Sequence, residues 1–206
     1  HYQMYRRFGI AKAVVEYPVN TCWSTNPTIE AKGIEGDIED MNNIIDQFID
    51  YIRHDSKDKA ELDDINTLID EVVQSESVVD REIIFNAESL PKVPLRYVAM
   101  KRALANLIQN ALRYSDGKVT VTTSYDKDKQ EVCFCVCDEG PGIPDVDIER
   151  LFQPFTQGDE ARGGEGSGLG LAIIKRIVDT HSGRVELSNR KEGGLKAQVC
   201  LPISHG

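Results

Sequence analysis

The stretch Gly166-Ser-Gly-Leu-Gly-Leu-Ala-Ile-Ile-Lys-Arg-Ile-Val-Asp-Thr-His181 decides how this chain is read. Glycines alternate at 166, 168 and 170, with Ser167 and Leu169 between them, which frees the backbone to curl around a ligand. The segment runs without a break into a helix predicted over Leu171–His181, whose apolar positions are Leu171, Ile173, Ile174, Ile177 and Val178. A helix starting there offers unpaired N–H groups and a positive dipole end, both suited to phosphate. A flexible linker could share the glycines but would rarely open straight into an amphipathic helix. There is no Gly-Lys-Ser/Thr ending of a P-loop, and no βαβ alternation that a Rossmann unit would need.

Working outward, Arg184–Ser188 and Leu195–Leu201 read as two strands around the turn Lys191-Glu-Gly-Gly194. Upstream, Lys118–Tyr125 and Glu131–Cys137 flank a polar turn and predict an antiparallel hairpin. Glu82–Asn86 reads as a short strand and the region Asp147–Phe152 as a short helix. A long helix is predicted from Leu95 to Tyr114, with Val98, Leu104, Ile108, Ala111 and Leu112 as apolar positions. Another carries Leu62, Ile65, Leu68, Ile69, Val72 and Val73 on one face. Helices interspersed with antiparallel strand pairs predict an α+β fold, a layer of helices on a mixed sheet.

Toward the N-terminus, Ile34, Ile38, Met41, Ile45, Phe48 and Ile52 recur in steps of three and four. One amphipathic helix lying on its own domain would show this. The narrow stripe favours a helix of a coiled coil or four-helix bundle, placed at residues 28–54. The charged run His54–Glu61 has no core positions, so residues 55–61 are read as a linker and 62–206 as the main domain. Residues 1–27 have no clear period and are unassigned.

The chain has 206 residues, and 24 Lys+Arg against 34 Asp+Glu leave a net charge of −10. Such a surface repels nucleic-acid phosphates and anionic membranes, so neither partner is expected. No apolar run approaches the roughly 20 residues that span a bilayer, and no direct membrane contact is expected within this chain. Five cysteines, three of them in Cys133-Phe-Cys-Val-Cys137, do not suggest a disulfide framework, and a reducing cytosol is the simpler setting. Cys133, Cys135 and Cys137 share one strand face. Soft-metal binding is one reading, but Val132, Phe134 and Val136 on the other face favour a strand buried on both sides. An acidic protein that holds a polyanion needs a device other than a basic patch, and the glycine loop supplies neutral backbone donors.

Two further clusters carry chemistry. Asn106 and Asn110 are four residues apart and so share one helix face; such oxygen donors suit Mg²⁺, unless they merely form an exposed polar stripe. Arg113 and Tyr114 follow at the same end of the helix. The run Asp138-Glu-Gly-Pro-Gly-Ile143 closes a strand, where an Asp can accept from an exocyclic amine and Gly140 and Gly142 let the backbone approach a flat ligand; a plain strand-to-loop turn would look similar.

The order Asn106-Leu-Ile-Gln-Asn110-Ala-Leu-Arg-Tyr114, Asp138-Glu-Gly-Pro-Gly142, Phe152-Gln-Pro-Phe155 and Gly166-Ser-Gly-Leu-Gly170 resembles the N, G1, F and G2 boxes of sensor histidine kinases. Ile45-Asp-Gln-Phe-Ile-Asp-Tyr-Ile52 and Arg176-Ile-Val-Asp-Thr-His-Ser-Gly183 resemble osmosensor members of that family. The resemblance implies the two-layer α/β sandwich of gyrase-type ATPases, preceded by part of a dimerising helical hairpin. It implies ATP and Mg²⁺ as ligands, with Asn110 on the metal and Asn106 beside it on metal or phosphate. Arg113 and Tyr114 would approach the phosphates and nucleotide, Asp138 the adenine amino group, and Gly140, Gly142 and Ile143 the base. Phe152 and Phe155 would anchor a mobile lid running to Gly166, while Ser167, Gly168, Leu169 and Gly170 would lie at the phosphates. The partners implied are a second copy of the chain and a response-regulator receiver domain, in a cytoplasmic setting. The alternatives are a nucleotide-binding scaffold without transfer activity and a gyrase- or mismatch-repair-type ATPase.

The family's acceptor signature, His, an acidic residue and Leu-Arg-Thr-Pro, is not found around His1, His54, His181 or His205. His181, before Gly183, reads as a structural helix-end residue, and self-phosphorylation of this chain in the usual way is not expected.

Overall fold

The computed structural model describes residues 59–77, 81–144, 148–156 and 167–204, together with Ile45. The segment 1–27, the predicted helix over 28–54 (Ile45 apart) and most of the linker lie outside the described residues. Contacts divide the chain into units 1–41 and 42–206, and every described residue belongs to the second.

Among the described residues the strands are β1 (Glu61–Asp63), β2 (Ile83–Asn86), β3 (Val93–Leu95), β4 (Val119–Asp126), β5 (Glu131–Cys137), β6 (Arg184–Asn189) and β7 (Leu195–Pro202). The helices are α1 (Ile65–Glu76), α2 (Tyr97–Tyr114) and α3 (Gly170–Thr180). Five strands form one sheet in the order β2-β4-β5-β7-β6. β2 runs parallel to β4 and the other neighbours are antiparallel, so the sheet is mixed as expected. β1 and β3 make a separate antiparallel pair.

Alternation builds the core. Val119 and Val121, Val132, Phe134 and Val136, Val185 and Leu187, and Ala197, Val199 and Leu201 come from one face of four strands. They pack in a single cluster with Ile65, Leu68, Ile69 and Val72 of α1, Leu104, Leu107 and Ile108 of α2, and Ile174 and Val178 of α3. This is the helical layer on a mixed sheet that the pattern predicts.

The edges of several elements differ from the sequence reading. Leu62 belongs to β1 and is 65% exposed. Asp64 ends the strand and starts α1, its carboxylate accepting from Asn66 N at 2.9 Å, so the apolar face begins at Ile65. Leu95, the predicted start of the long helix, lies instead in β3: Pro94 holds the residue before it in extended backbone, and α2 opens at Tyr97. Val98, one of the apolar positions of the predicted helix, is 59% exposed, while Ala99, Met100 and Ala103 face inward. The short helix is a single 3-10 turn, Arg150–Phe152, and 145–147 lie outside the described residues.

The expectation of no disulfide is corrected. Cys133 is joined to Cys200, a partner 67 residues away that the β5–β7 register places directly opposite. Cys135 and Cys137 are free thiols. Burial of β5 on both faces holds from Val132 to Val136.

Candidate nucleotide-binding site

Helices α2 and α3 bring the two strongest motifs together. A Cβ placed on Gly170, the first residue of α3, would stand 3.6 Å from Asn110 Nδ2, 3.8 Å from Asn110 Oδ1 and 3.7 Å from Asn106 Oδ1. The glycine therefore lets the helix N-terminus approach both amides. Asn106 Nδ2 donates to Arg102 O at 3.0 Å, which leaves its oxygen on the Gly170 side. Leu169 is the N-cap of α3 and offers no capping side chain, and the first turn carries no acidic residue. Its N–H groups remain available to an anion. Ser167 Oγ accepts from Leu169 N at 3.2 Å and shapes the approach. Gly166 lies outside the described residues.

Gly168 has a φ of +68°, and its carbonyl accepts a 2.9 Å hydrogen bond from Phe155 N. A side chain there would meet Phe155 C and Thr156 O at 2.9 Å, so both its backbone and its surroundings call for glycine. Phe155 itself has a φ of +62° and is 44% exposed, whereas Phe152 packs against the core. The chain on either side of 157–166 is thus pinned together at Phe155 and Gly168, and 157–166 are outside the described residues.

Asp138 is 6% exposed and follows the last residue of β5. Its Oδ1 accepts from Gly140 N at 2.8 Å and Leu195 N at 3.0 Å, while its own N–H donates to Leu195 O at 3.0 Å. Arg190 Nη1 donates to its carbonyl. These bonds hold the carboxylate in one orientation and use only one of its oxygens; Oδ2 takes no hydrogen bond from the described residues. Such an oxygen can accept from an exocyclic amine. Gly140 lies so close to the Tyr114 carbonyl that a side chain would collide with it. The end of α2 and the Asp138 loop are therefore in direct apposition.

Several positioning residues carry no sequence motif. Ser115, buried after the end of α2, accepts on Oγ from Gly117 N at 3.1 Å and Glu139 N at 3.2 Å. Arg81 donates through Nη1 to Leu112 O and, at 2.6 Å, to Ser115 O, placing a cation at the negative end of α2. Asn189 clamps the Gly142–Ile143 loop: its Oδ1 accepts from Ile143 N at 2.8 Å and its Nδ2 donates to Ile143 O at 2.6 Å. The one local signal among them is the place of Ser115 directly after the helix end. Arg113 and Tyr114 are exposed beside this region.

His181 is the C-cap of α3 and almost fully buried. Its Nε2 accepts from Arg96 N at 2.9 Å, so Nδ1 carries the proton and donates to Ile177 O at 2.8 Å. With both nitrogens engaged it is a structural residue. It also joins the end of α3 to the start of α2, opposite the Gly170–Asn110 end of the same helix pair.

Residues 96–205 match the family model described as histidine kinase-, DNA gyrase B- and HSP90-like ATPase, and the chain belongs to that family. Its ATP-binding fold is the one the four motifs imply. The chain is 42% identical to the sensor histidine kinase CpxA of Escherichia coli strain K12 over 51% of its own length and 23% of the relative's. It is 32% identical to the sensor histidine kinase GtrS of Pseudomonas aeruginosa over 81% of its length and 34% of that protein's. Among solved structures it is similar to the histidine kinase domain of the E. coli osmosensor EnvZ, at 39% identity and a TM-score of 0.57, covering 72% of this chain and 91% of that one. The chain thus spans under half the length of these curated relatives. The resemblance to sensor histidine kinases is borne out. No helix among the described residues is long and apolar enough to cross a membrane.

Proposed function

We propose that the chain is the ATP-binding catalytic part of a two-component sensor kinase, which transfers the γ-phosphoryl group of Mg-ATP to a histidine for onward transfer to an aspartate of a response-regulator receiver domain. The observation that carries this reading is the approach of Gly170, at an uncapped helix N-terminus, to both Asn106 and Asn110. Backbone N–H groups of the Gly168–Gly170 turn and the α3 dipole bind phosphate oxygens without a basic patch, which reconciles a polyanionic ligand with a net charge of −10. The two amide oxygens suit Mg²⁺, a hard cation that keeps several waters and shares phosphate oxygens. Asn110 would hold it with Asn106 beside it, and when bound it neutralises phosphate charge.

Asp138 Oδ2 accepts from the adenine amino group, and Gly140, Gly142 and Ile143 border the base. Arg113 and Tyr114 reach the phosphates and nucleotide from the end of α2, and Phe152 and Phe155 anchor the segment leading to the glycine loop. Residues 28–54 form the second helix of a hairpin that makes the homodimer, 55–61 link it, and 62–206 form the catalytic domain. The setting is the cytoplasmic side of an inner-membrane receptor.

The test supplies what the acceptor signature would provide. The chain is incubated with γ-labelled Mg-ATP and a separate helical hairpin bearing an intact histidine signature, then with a receiver domain. Label is expected on the hairpin and afterwards on the receiver. ATP binding without any labelled hairpin would instead identify a nucleotide-binding scaffold.

A further inference from the structure

Cys133 on β5 and Cys200 on β7 are directly opposed in the register and disulfide-bonded, with Cα atoms 4.1 Å apart. Strand alternation turns them away from the helices. Val132, Phe134, Val199 and Leu201, their sequence neighbours, enter the core shared with α1–α3, and the two cysteines do not. They are nevertheless buried, at 4% and 1% exposure. Gln198 Nε2 contacts Cys200 Sγ at 3.4 Å. Arg184 on β6 pairs with Glu131 on β5, and since β7 lies between these strands, that ion pair crosses β7 beside Cys200.

Glu131 is the unusual member of this cluster. Its Oε1 is held by Arg184, but Oε2 is buried with no hydrogen-bond partner among the described residues. A Glu131 carboxylate oxygen and both sulfurs lie within 4.8 Å of one another. A buried acceptor without a donor is costly. A disulfide has no proton to give it, whereas a thiol has. Reduction would therefore place a donor beside the carboxylate whose Oε2 has no partner among the described residues.

We propose that Cys133 and Cys200 form a reversible dithiol–disulfide site, with Glu131 as its proton acceptor and low-molecular-weight thiols and disulfides of the glutathione class as its reactants. In the oxidising direction, one cysteine gives its S–H proton to Glu131 Oε2, and the thiolate attacks the small disulfide. One small thiolate leaves, and a mixed disulfide forms. The second cysteine loses its proton and attacks that mixed disulfide, closing the protein S–S bond and expelling the other small thiolate. The two protein protons end on the two leaving thiols. The cysteine pair is oxidised by two electrons and the small disulfide reduced by two. The Arg184 cation beside the pair favours thiolate chemistry over capture of a metal cation. Cys135 and Cys137, on the same strand, remain thiols and serve as internal references.

The folded chain is equilibrated without denaturant across a series of reduced-to-oxidised glutathione ratios, quenched in acid, alkylated and mapped by mass spectrometry. Peptides containing Cys133 and Cys200 should interconvert together and reach the same midpoint from either direction, with Cys135 and Cys137 alkylated throughout. Glu131→Gln should move the midpoint about tenfold toward the disulfide, because the dithiol loses a charged acceptor. Glu186→Gln, which removes the other carboxylate beside Arg184, should leave it within about twofold, the size of a minor surface change. Exchange seen only in denaturant would make the bond a fixed crosslink and overturn the proposal. Equal shifts in the two variants, or a shift toward the dithiol in Glu131→Gln, would remove the role given to Glu131. Wild-type reversibility decides the site even if a variant fails to fold.

Discussion

The backbone N–H of Phe155 donates to the carbonyl of Gly168 at 2.9 Å, and both residues have left-handed backbone. This bond sets the spacing between the turn after Phe152 and the start of α3. It places Gly170 where the helix N-terminus can face the Asn106–Asn110 pair.

Gly168→Ala tests that arrangement. Its Cβ would stand 2.9 Å from Phe155 C and Thr156 O at a φ of +68°. The expected cost is about 1–3 kcal/mol of local strain, read as a lower melting temperature, with nucleotide affinity falling more than about tenfold by calorimetry. An unchanged affinity would show that this turn does not shape the phosphate site.

Asp138→Asn should weaken adenine nucleotides by about tenfold or more, since it replaces a charged acceptor with a neutral one. The loss should be smaller for a nucleotide whose base lacks an exocyclic amine at the corresponding position. Competition binding with paired nucleotides measures the difference, and equal losses for both would place Asp138 away from the base.

For the core, Phe134→Ala should destabilise the fold by about 3–5 kcal/mol, because it empties a fully buried site on β5. Val98→Ala, on the exposed side of α2, should change stability by no more than about 0.5 kcal/mol. Denaturant titrations of the two variants distinguish a helix whose inward face is Ala99–Met100–Ala103 from one that buries Val98.

His181→Ala removes the acceptor for Arg96 N at the far end of the α2–α3 pair. A buried N–H without a partner costs about 1–3 kcal/mol. The chain should therefore unfold at lower denaturant, and hydrogen exchange at the Arg96 amide should accelerate. Exchange that stays as slow as in the wild type would contradict the pairing.

Much of the candidate site was legible because its signals are local. Glycines at 168 and 170 before an apolar helix, amides at 106 and 110, and an Asp138 directly after a strand each declare themselves within a few residues. The layer of helices on a mixed sheet followed from strand alternation and helical spacing. What stayed hidden depends on partners far along the chain. Arg81 reaches carbonyls 31 and 34 residues away, Asn189 holds Ile143 across 46, and Cys133 meets Cys200 across 67. β1 and β3 were missed because three-residue strands show too little period, and Leu62 and Leu95 passed as helix positions.

The most direct test of the nucleotide site is isothermal calorimetry of Mg-ATP binding to the wild-type chain and to Asn110→Ala. The wild type should bind with one site per chain, and Asn110→Ala should lose about tenfold or more in affinity when Mg²⁺ is present, the scale expected for removing a metal-holding group. Equal affinity for the two proteins, or no binding by the wild type, would contradict the assignment of the Asn110–Gly170 apposition as the place where the phosphates and metal are held.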